Sequence, residues 1–223
     1  MSYGTPDARA VAALPSEPAA AARVEAWVDG SSEFLQVAGY DLRGADFSGA
    51  DLSEFWLTDA DMRGVRLVGS DLHRAYLNRS DLTDADLTRA SLVKTEISDA
   101  CLIRANFSGA EMTRTEIYGS DARHAVFAEA AMRGVMIDKS DMRGASFRDV
   151  QLFKVSLHIR FDDKTDFTGM AGTMFSTMTY VHGQGEQEFT GQGLEDLLRA
   201  RGADVEILEP AAQRHPLGDA GCS

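Results

Sequence analysis

From Tyr40 to Ile159 a large apolar residue returns every five positions, from Leu42, Phe47, Leu52, Leu57 and Met62 through to Phe147, Leu152 and Leu157, with Ala122 alone undersized. Two residues before each stands a smaller one, such as Ala45, Ala50, Ala60, Ser70 and Ala75, with Phe55 a bulky exception. A period of five fits neither standard element. On a helix, steps of about 100° scatter the large residues around the axis. On a flat strand an odd period sends alternate members to opposite faces. The pattern is satisfied if the chain turns a corner every five residues, so that every pentad points its large and small residue the same way. That is a solenoid whose core is the stack of these residues.

A second period of twenty lies inside the first. Ile97, Ile117 and Ile137 match in kind, as do Phe107, Phe127 and Phe147, and Asp61-Met62-Arg63-Gly64 recurs as Asp141-Met142-Arg143-Gly144. Four pentads therefore make one four-sided coil, and like residues stack at the inter-strand spacing of ~4.8 Å. The 24 pentads between residues 40 and 159 give about six coils, a rod on the order of 29 Å long.

Segments such as Ala45-Asp46-Phe47-Ser48-Gly49, Ala50-Asp51-Leu52-Ser53-Glu54 and Ala105-Asn106-Phe107-Ser108-Gly109 resemble the A(D/N)LXX motif of the pentapeptide repeat family, over about half of the chain. The resemblance implies an all-β solenoid, a right-handed quadrilateral β-helix with short helical caps. It implies a non-catalytic, protein-binding role. One branch, the quinolone-resistance and antibiotic self-resistance proteins, protects bacterial type II topoisomerases (DNA gyrase, topoisomerase IV) by mimicking duplex DNA.

The flanks read as caps, which an open solenoid needs to cover its end coils. Residues 1–15 are expected to be disordered. Residues 16–39 hold a helix with Ser16 as N-cap and Pro18 in its first turn, then an imperfect pentad carrying Leu35 and Val37. After Ile159 the register fails, because Arg160 and Asp162 fall on inward positions, and residues 165–169 recover one pentad. Residues 160–209 form a cap or a dimerisation module, with an aromatic and Met-rich β stretch from Met170 to Val181 and a helix near 192–201 stopped by Gly202. An edge strand is expected at Val205–Leu208, and residues 210–223 read as a disordered tail.

Charge changes the picture only once it is located. The chain carries −13, of which −3 lies in residues 1–39, −6 in 160–223 and only −4 in the rod. Duplex DNA of the same ~29 Å carries roughly seventeen charges. The column Asp41, Asp61, Asp81, Asp121 and Asp141, a candidate DNA-mimicking surface, is also shadowed by Arg43, Arg63, Arg123 and Arg143 two residues on. Surface ion pairs of that kind are worth little each.

One side stands apart. Its outward column reads Trp56, Tyr76, Glu96, Glu116, Met136 and Ser156, with Tyr118 and His158 across the pentad centres. Aromatic residues facing water beside carboxylates mark contact surfaces, so these residues are the candidate partner-binding face; simple cross-strand stacking of Trp56 on Tyr76 is the alternative. An enzymatic alternative, in the metabolism of small molecules such as secondary metabolites, uses Glu96, Glu116, Tyr118 and His158 in a pocket on this face, closed by residues 170–191. The two glutamates would then share a proton and act as acid or base.

No metal-ligand spacing, phosphate loop or nucleophile elbow is present, so no metal or cofactor is expected. The basic column Arg74, Lys94, Arg114 and Lys154 is offset by acids, which argues against nucleic-acid binding. No stretch is apolar enough to span a membrane. Cys101 and Cys222 are too few for a disulfide framework, which points to the cytoplasm.

Overall fold

The computed structural model describes residue 9 and residues 11–183 and 185–208. The expected tail 210–223, with His215 and Cys222, lies outside them, as do residues 1–8 of the expected N-terminal disorder. The chain winds as a right-handed quadrilateral β-helix. Parallel bridges run down all four sides at intervals of twenty, for example Asp41 to Asp61 to Asp81, Asp46 to Arg66 to Asp86, Asp51 to Asp71 to Ser91, and Trp56 to Tyr76 to Glu96. Each coil hands its hydrogen bonds to the next, as in Leu42 N–H to Asp61 O (2.8 Å) and Asp61 N–H to Tyr40 O (3.0 Å).

Two local devices turn the corners. The first is an Asp or Asn just before the pentad centre, whose side chain accepts the backbone N–H two residues on: Asp46 from Ser48 (3.0 Å), Asp71 from His73 (2.9 Å), Asn106 from Ser108 (3.0 Å). This local bond offers the backbone a turn in place of a continued strand. The second is a left-handed residue two places after the centre. Fifteen non-glycine residues there, among them Glu54, Arg79, Lys94 and Lys154, take φ of 52° to 62°. The corners from Gly39 to Lys154 all take that conformation, with Gly at some and a tolerated side chain at the rest.

The core is the predicted one. The large and small residues of the pentads are buried along the axis, and Phe107, Phe127, Phe147 and Phe167 stack with ring centroids 4.9, 5.2 and 5.6 Å apart. Polar residues in the small slot stay satisfied: Ser70 and Ser80 hydroxyls donate to Leu67 and Leu77 carbonyls, and Thr95 and Thr115 to Leu72 and Leu92.

The fourth side, centred on Leu57, Leu77, Ile97, Ile117, Ile137 and Leu157, is built differently. Its column lacks the turn-capping Asp, and its inward pairs Thr95/Ile97, Thr115/Ile117 and Val135/Ile137 are β-branched. Both features favour extended backbone. Three-residue strands β1 (Glu96–Ser98) and β2 (Glu116–Tyr118) form here, followed by β4 (Met136–Asp141), while β3 (Ala131–Arg133) lies on the preceding side. The rod continues into the longer β5 (Gln151–Phe161) and β6 (Ala171–His182).

The failed register after Ile159 is a one-residue slip. Between Asp138 and Ser140 the pairing shifts so that Ile159 lies under Ser140 and Arg160 under Asp141. Ile159 and Phe161 are thereby buried and Arg160 points outward, pairing with Asp141 at 3.6 Å and with Glu186. The corner at Asp162 is one residue longer and restores the period, placing Asp166 under Ser146. Arg160 and Asp162 are thus not inward, as simple counting suggested.

Both ends are closed. Helix α1 (Pro18–Val28) buries Ala20, Val24 and Trp27, with Leu35 and Val37 over the first coil. Its N-cap is Glu17, not Ser16: the Glu17 carboxylate accepts from Ala19 and Ala20 N–H at 2.9 and 2.6 Å, while Ser16 N–H goes to Arg43 O (3.0 Å). Residues 11–15 correct the expectation of disorder, since Ala13 forms an antiparallel bridge to Asp46. At the other end β7 (Gly185–Thr190) pairs antiparallel with β6, helix α2 (Gly191–Ala200) follows, and β8 (Asp204–Ile207) pairs parallel with β6. Met170, Met174, Met178, Leu194, Leu198 and Val205 are buried within this cap. These apolar groups belong to the chain's own core, and β7 forms the far edge of the sheet.

Candidate functional site

The Asp column on the first side has structural work. Asp41, Asp61, Asp121 and Asp141 each accept the backbone N–H two residues on and bind the guanidinium of that same residue, with Arg Nη2 to Asp Oδ2 distances of 2.5, 2.5, 2.7 and 2.7 Å. Asp81 caps Thr83 (3.0 Å) and receives Arg63 at 3.7 Å. The Arg43 side-chain hydrogen bond, helped by its backbone N–H, holds the Asp41 carboxyl down to about 2. At Asp141 burial pushes upward, and the Arg143 hydrogen bonds overcome it, leaving the carboxyl below its usual range. These carboxylates are neutralised in place and present little free charge to a partner.

The fourth side is the reverse. Trp56 is 66% exposed and leans on Tyr76 one coil below, ring centroids 5.6 Å apart at 60°. Glu96 and Glu116 follow as register partners, then Met136, 46% exposed. Asp59 is taken by Arg79 (2.7 Å), whereas Glu96, Asp99 and Glu116 make no ion pair among the described residues. Tyr118, 41% exposed, accepts a hydrogen bond from Lys139 Nζ (2.8 Å), and His158 Nδ1 lies 3.6 Å from Asp138 Oδ1.

The catalytic arrangement does not form. Glu96 and Glu116 are exposed on an open face. His158 lies two coils beyond Tyr118, with Asp138 between them in the column. Residues 170–191 cannot close over the glutamates because β6 and β7 extend the far end of the rod, where Phe175 pairs with Ser156. The clefts lined by Arg23, Phe34 and Trp56, by Glu54, Arg74 and Tyr76, and by Asp121, Arg143 and Arg160 include none of Glu96, Glu116, Tyr118 and His158. Nor do three or more His, Cys, Asp or Glu among them converge on a metal position.

A cleft does exist at the N-terminal end of this side. It has a volume of about 560 Å³, and its wall joins Arg23 of α1 and Phe34, Gln36 and Tyr40 of the following segment to Phe55 and Trp56 of the first coil. Phe55 breaks the pattern of the rod in its wall. Later coils hold Ala75, Thr95, Thr115 and Val135 in its slot, all buried. Phe55 is only partly buried and meets the edge of Trp27, ring centroids 5.6 Å apart at 79°. The sequence marks Phe55 only as a bulky exception and leaves Arg23, Phe34 and Tyr40 unmarked as site residues, Arg23 and Phe34 lying outside the period and Tyr40 at its first position.

The pentapeptide repeats family model matches residues 41–79, 70–109 and 110–149, in eight copies. No curated protein matches the chain. Among solved structures, full-length QnrB1, a plasmid-mediated fluoroquinolone resistance protein, is 17% identical over 62% of this chain and 74% of its own, with a TM-score of 0.46. Rfr23 from the cyanobacterium Cyanothece 51142 is 24% identical over 43% of this chain and 62% of its own, TM-score 0.29. HetL from Nostoc sp. strain PCC 7120, involved in heterocyst differentiation regulation, is 22% identical over 60% and 81%, TM-score 0.19. With the repeat matched along the rod and the period carried into its coils, the chain belongs to the pentapeptide repeat family.

Proposed function

We propose that the protein is a non-catalytic binding module that docks a partner protein on its fourth side, in the cytoplasm. The observation that supports this is the contrast between two columns of acids. On the first side Asp41, Asp61, Asp121 and Asp141 are held by their own arginines. On the fourth side Glu96 and Glu116 are exposed beside Trp56, Tyr76 and Met136. Exposed aromatic anchors next to free carboxylates suit a partner that offers an apolar pocket ringed by Lys or Arg.

A bacterial type II topoisomerase is the partner that the sequence resemblance implies, and its DNA-binding surface would supply the cationic part of this requirement. It would be engaged by one acidic, aromatic side, since the rod as a whole carries too little free negative charge to imitate a duplex. The test is gyrase supercoiling with and without a fluoroquinolone, at micromolar protein. Protection or inhibition is expected, weakened about tenfold in a Trp56→Ala/Glu96→Gln/Glu116→Gln variant that melts like the parent. No effect of the parent protein removes the topoisomerase as partner. An effect that survives intact in the variant removes the fourth side as the docking face.

A further inference from the structure

The cleft under α1 shares Trp56 with the docking side but adds Arg23, Phe34 and Tyr40, which partner docking does not use. Its volume of about 560 Å³ lies in the range of small-molecule sites, which are mostly apolar with a few placed polar groups. The aromatic walls are Phe34, Tyr40, Phe55 and Trp56, and Phe34 and Trp56 are 59% and 66% exposed at the rim. A second hollow of about 390 Å³ shares Arg23, Phe34, Gln36 and Tyr40 with it, so Arg23 stands where the two meet.

Charge decides what fits. The Arg23 guanidinium lies over the Tyr40 ring, 4.8 Å from its centroid, and makes no ion pair among the described residues. Glu54, the one acid on the wall, is already held by Arg74 at 3.2 Å. The cleft therefore offers a cation to its occupant, in a chain of net charge −13. An arginine stacked on a ring keeps its N–H edge for a planar, bidentate acceptor. We propose that this cleft binds a small planar aromatic carboxylate, its ring among Phe34, Phe55 and Trp56 and its carboxylate on Arg23.

The probe is 2-naphthoate, titrated into the full-length protein by calorimetry, with neutral 2-naphthamide alongside. Saturable 1:1 binding of 2-naphthoate is expected, with 2-naphthamide about tenfold weaker because the charge-assisted bond is lost. Arg23→Gln brings 2-naphthoate down to the amide's affinity and leaves the amide unchanged. Arg23→Lys, which keeps the charge but not the fork, falls between. Thermal melting identifies which variants fold. Absence of 2-naphthoate binding at millimolar concentration overturns the proposal, as does equal affinity for acid and amide or an unchanged affinity in a folded Arg23→Gln protein.

Discussion

Phe55 of the first coil meets the edge of Trp27 in α1, ring centroids 5.6 Å apart at 79°. Its slot holds small or β-branched residues in every later coil, so its extra bulk serves the contact with the cap. Phe55→Ala is expected to cost about 2 kcal/mol, roughly half the loss for a fully buried Phe. The loss falls on the cap: hydrogen exchange should rise in α1 while the central coils keep their protection, and Trp27 emission should shift to the red. Uniform loss of protection along the rod would contradict this role.

The Asp41–Arg43 pair makes an acid-sensitive ladder with a definite sign. Asp41 sits at about 2, against an ordinary value of 3.8, and Asp61 is lowered too, chiefly by its Arg63 hydrogen bond. A carboxyl whose folded value is depressed contributes stability that is present above its unfolded value and is lost as pH falls through the folded one. The urea midpoint should hold level from neutral pH to about 4 and fall between about 4 and 2. Asp41→Asn/Asp61→Asn keeps the turn-capping acceptors but loses the charge, so its midpoint should start lower and fall less over the same window.

Gly172, in β6, has backbone rather than side chain in the way of any added carbon. Its φ is +123°, and an added Cβ would sit 2.0 Å from the Leu152 carbonyl oxygen. Gly172→Ala should therefore destabilise by about 3 kcal/mol or more, combining backbone strain with a clash against backbone that cannot yield. Gly64→Ala is the control: φ is +66° with nothing within 4 Å of the new carbon, so about 1 kcal/mol is expected. Denaturant unfolding of the two variants measures the difference, and equal losses would refute the steric argument.

The stacked phenylalanines predict a different kind of loss. Phe127 lies between Phe107 and Phe147, fully buried, at 4.9 and 5.2 Å. Phe127→Ala should cost about 4 kcal/mol through the cavity it leaves. Phe127→Leu should cost less, since it keeps most of the volume. Thermal melting orders the two variants, and a Leu variant no more stable than Ala would show that ring stacking, not volume, is what matters there.

The rod was legible because its information is local and repeated. A period of five forces a corner every pentad, and the twenty-residue echo from Ile97 to Ile117 to Ile137 fixes four sides. The difference of the fourth side was visible in the same way, as a column reading Trp56, Tyr76, Glu96, Glu116. Counting alone failed at Arg160, because a slip of one residue costs the ladder little and cannot be seen until Ile159 is found under Ser140.

What the sequence determined by itself is the coil, its core and its four columns, since each pentad meets the same steric demand and votes for the same answer. What only the tertiary structure decided is which groups remain free. The period already set Arg43 two residues after Asp41 and left Glu96 without such a neighbour, but only the structure closes the first pair at 2.5 Å and leaves Glu96 facing water. The cleft is of the same kind. Arg23 and Phe34 lie outside the repeat and Tyr40 at its first position, and they meet Trp56 only because α1 packs its buried face onto the first coil.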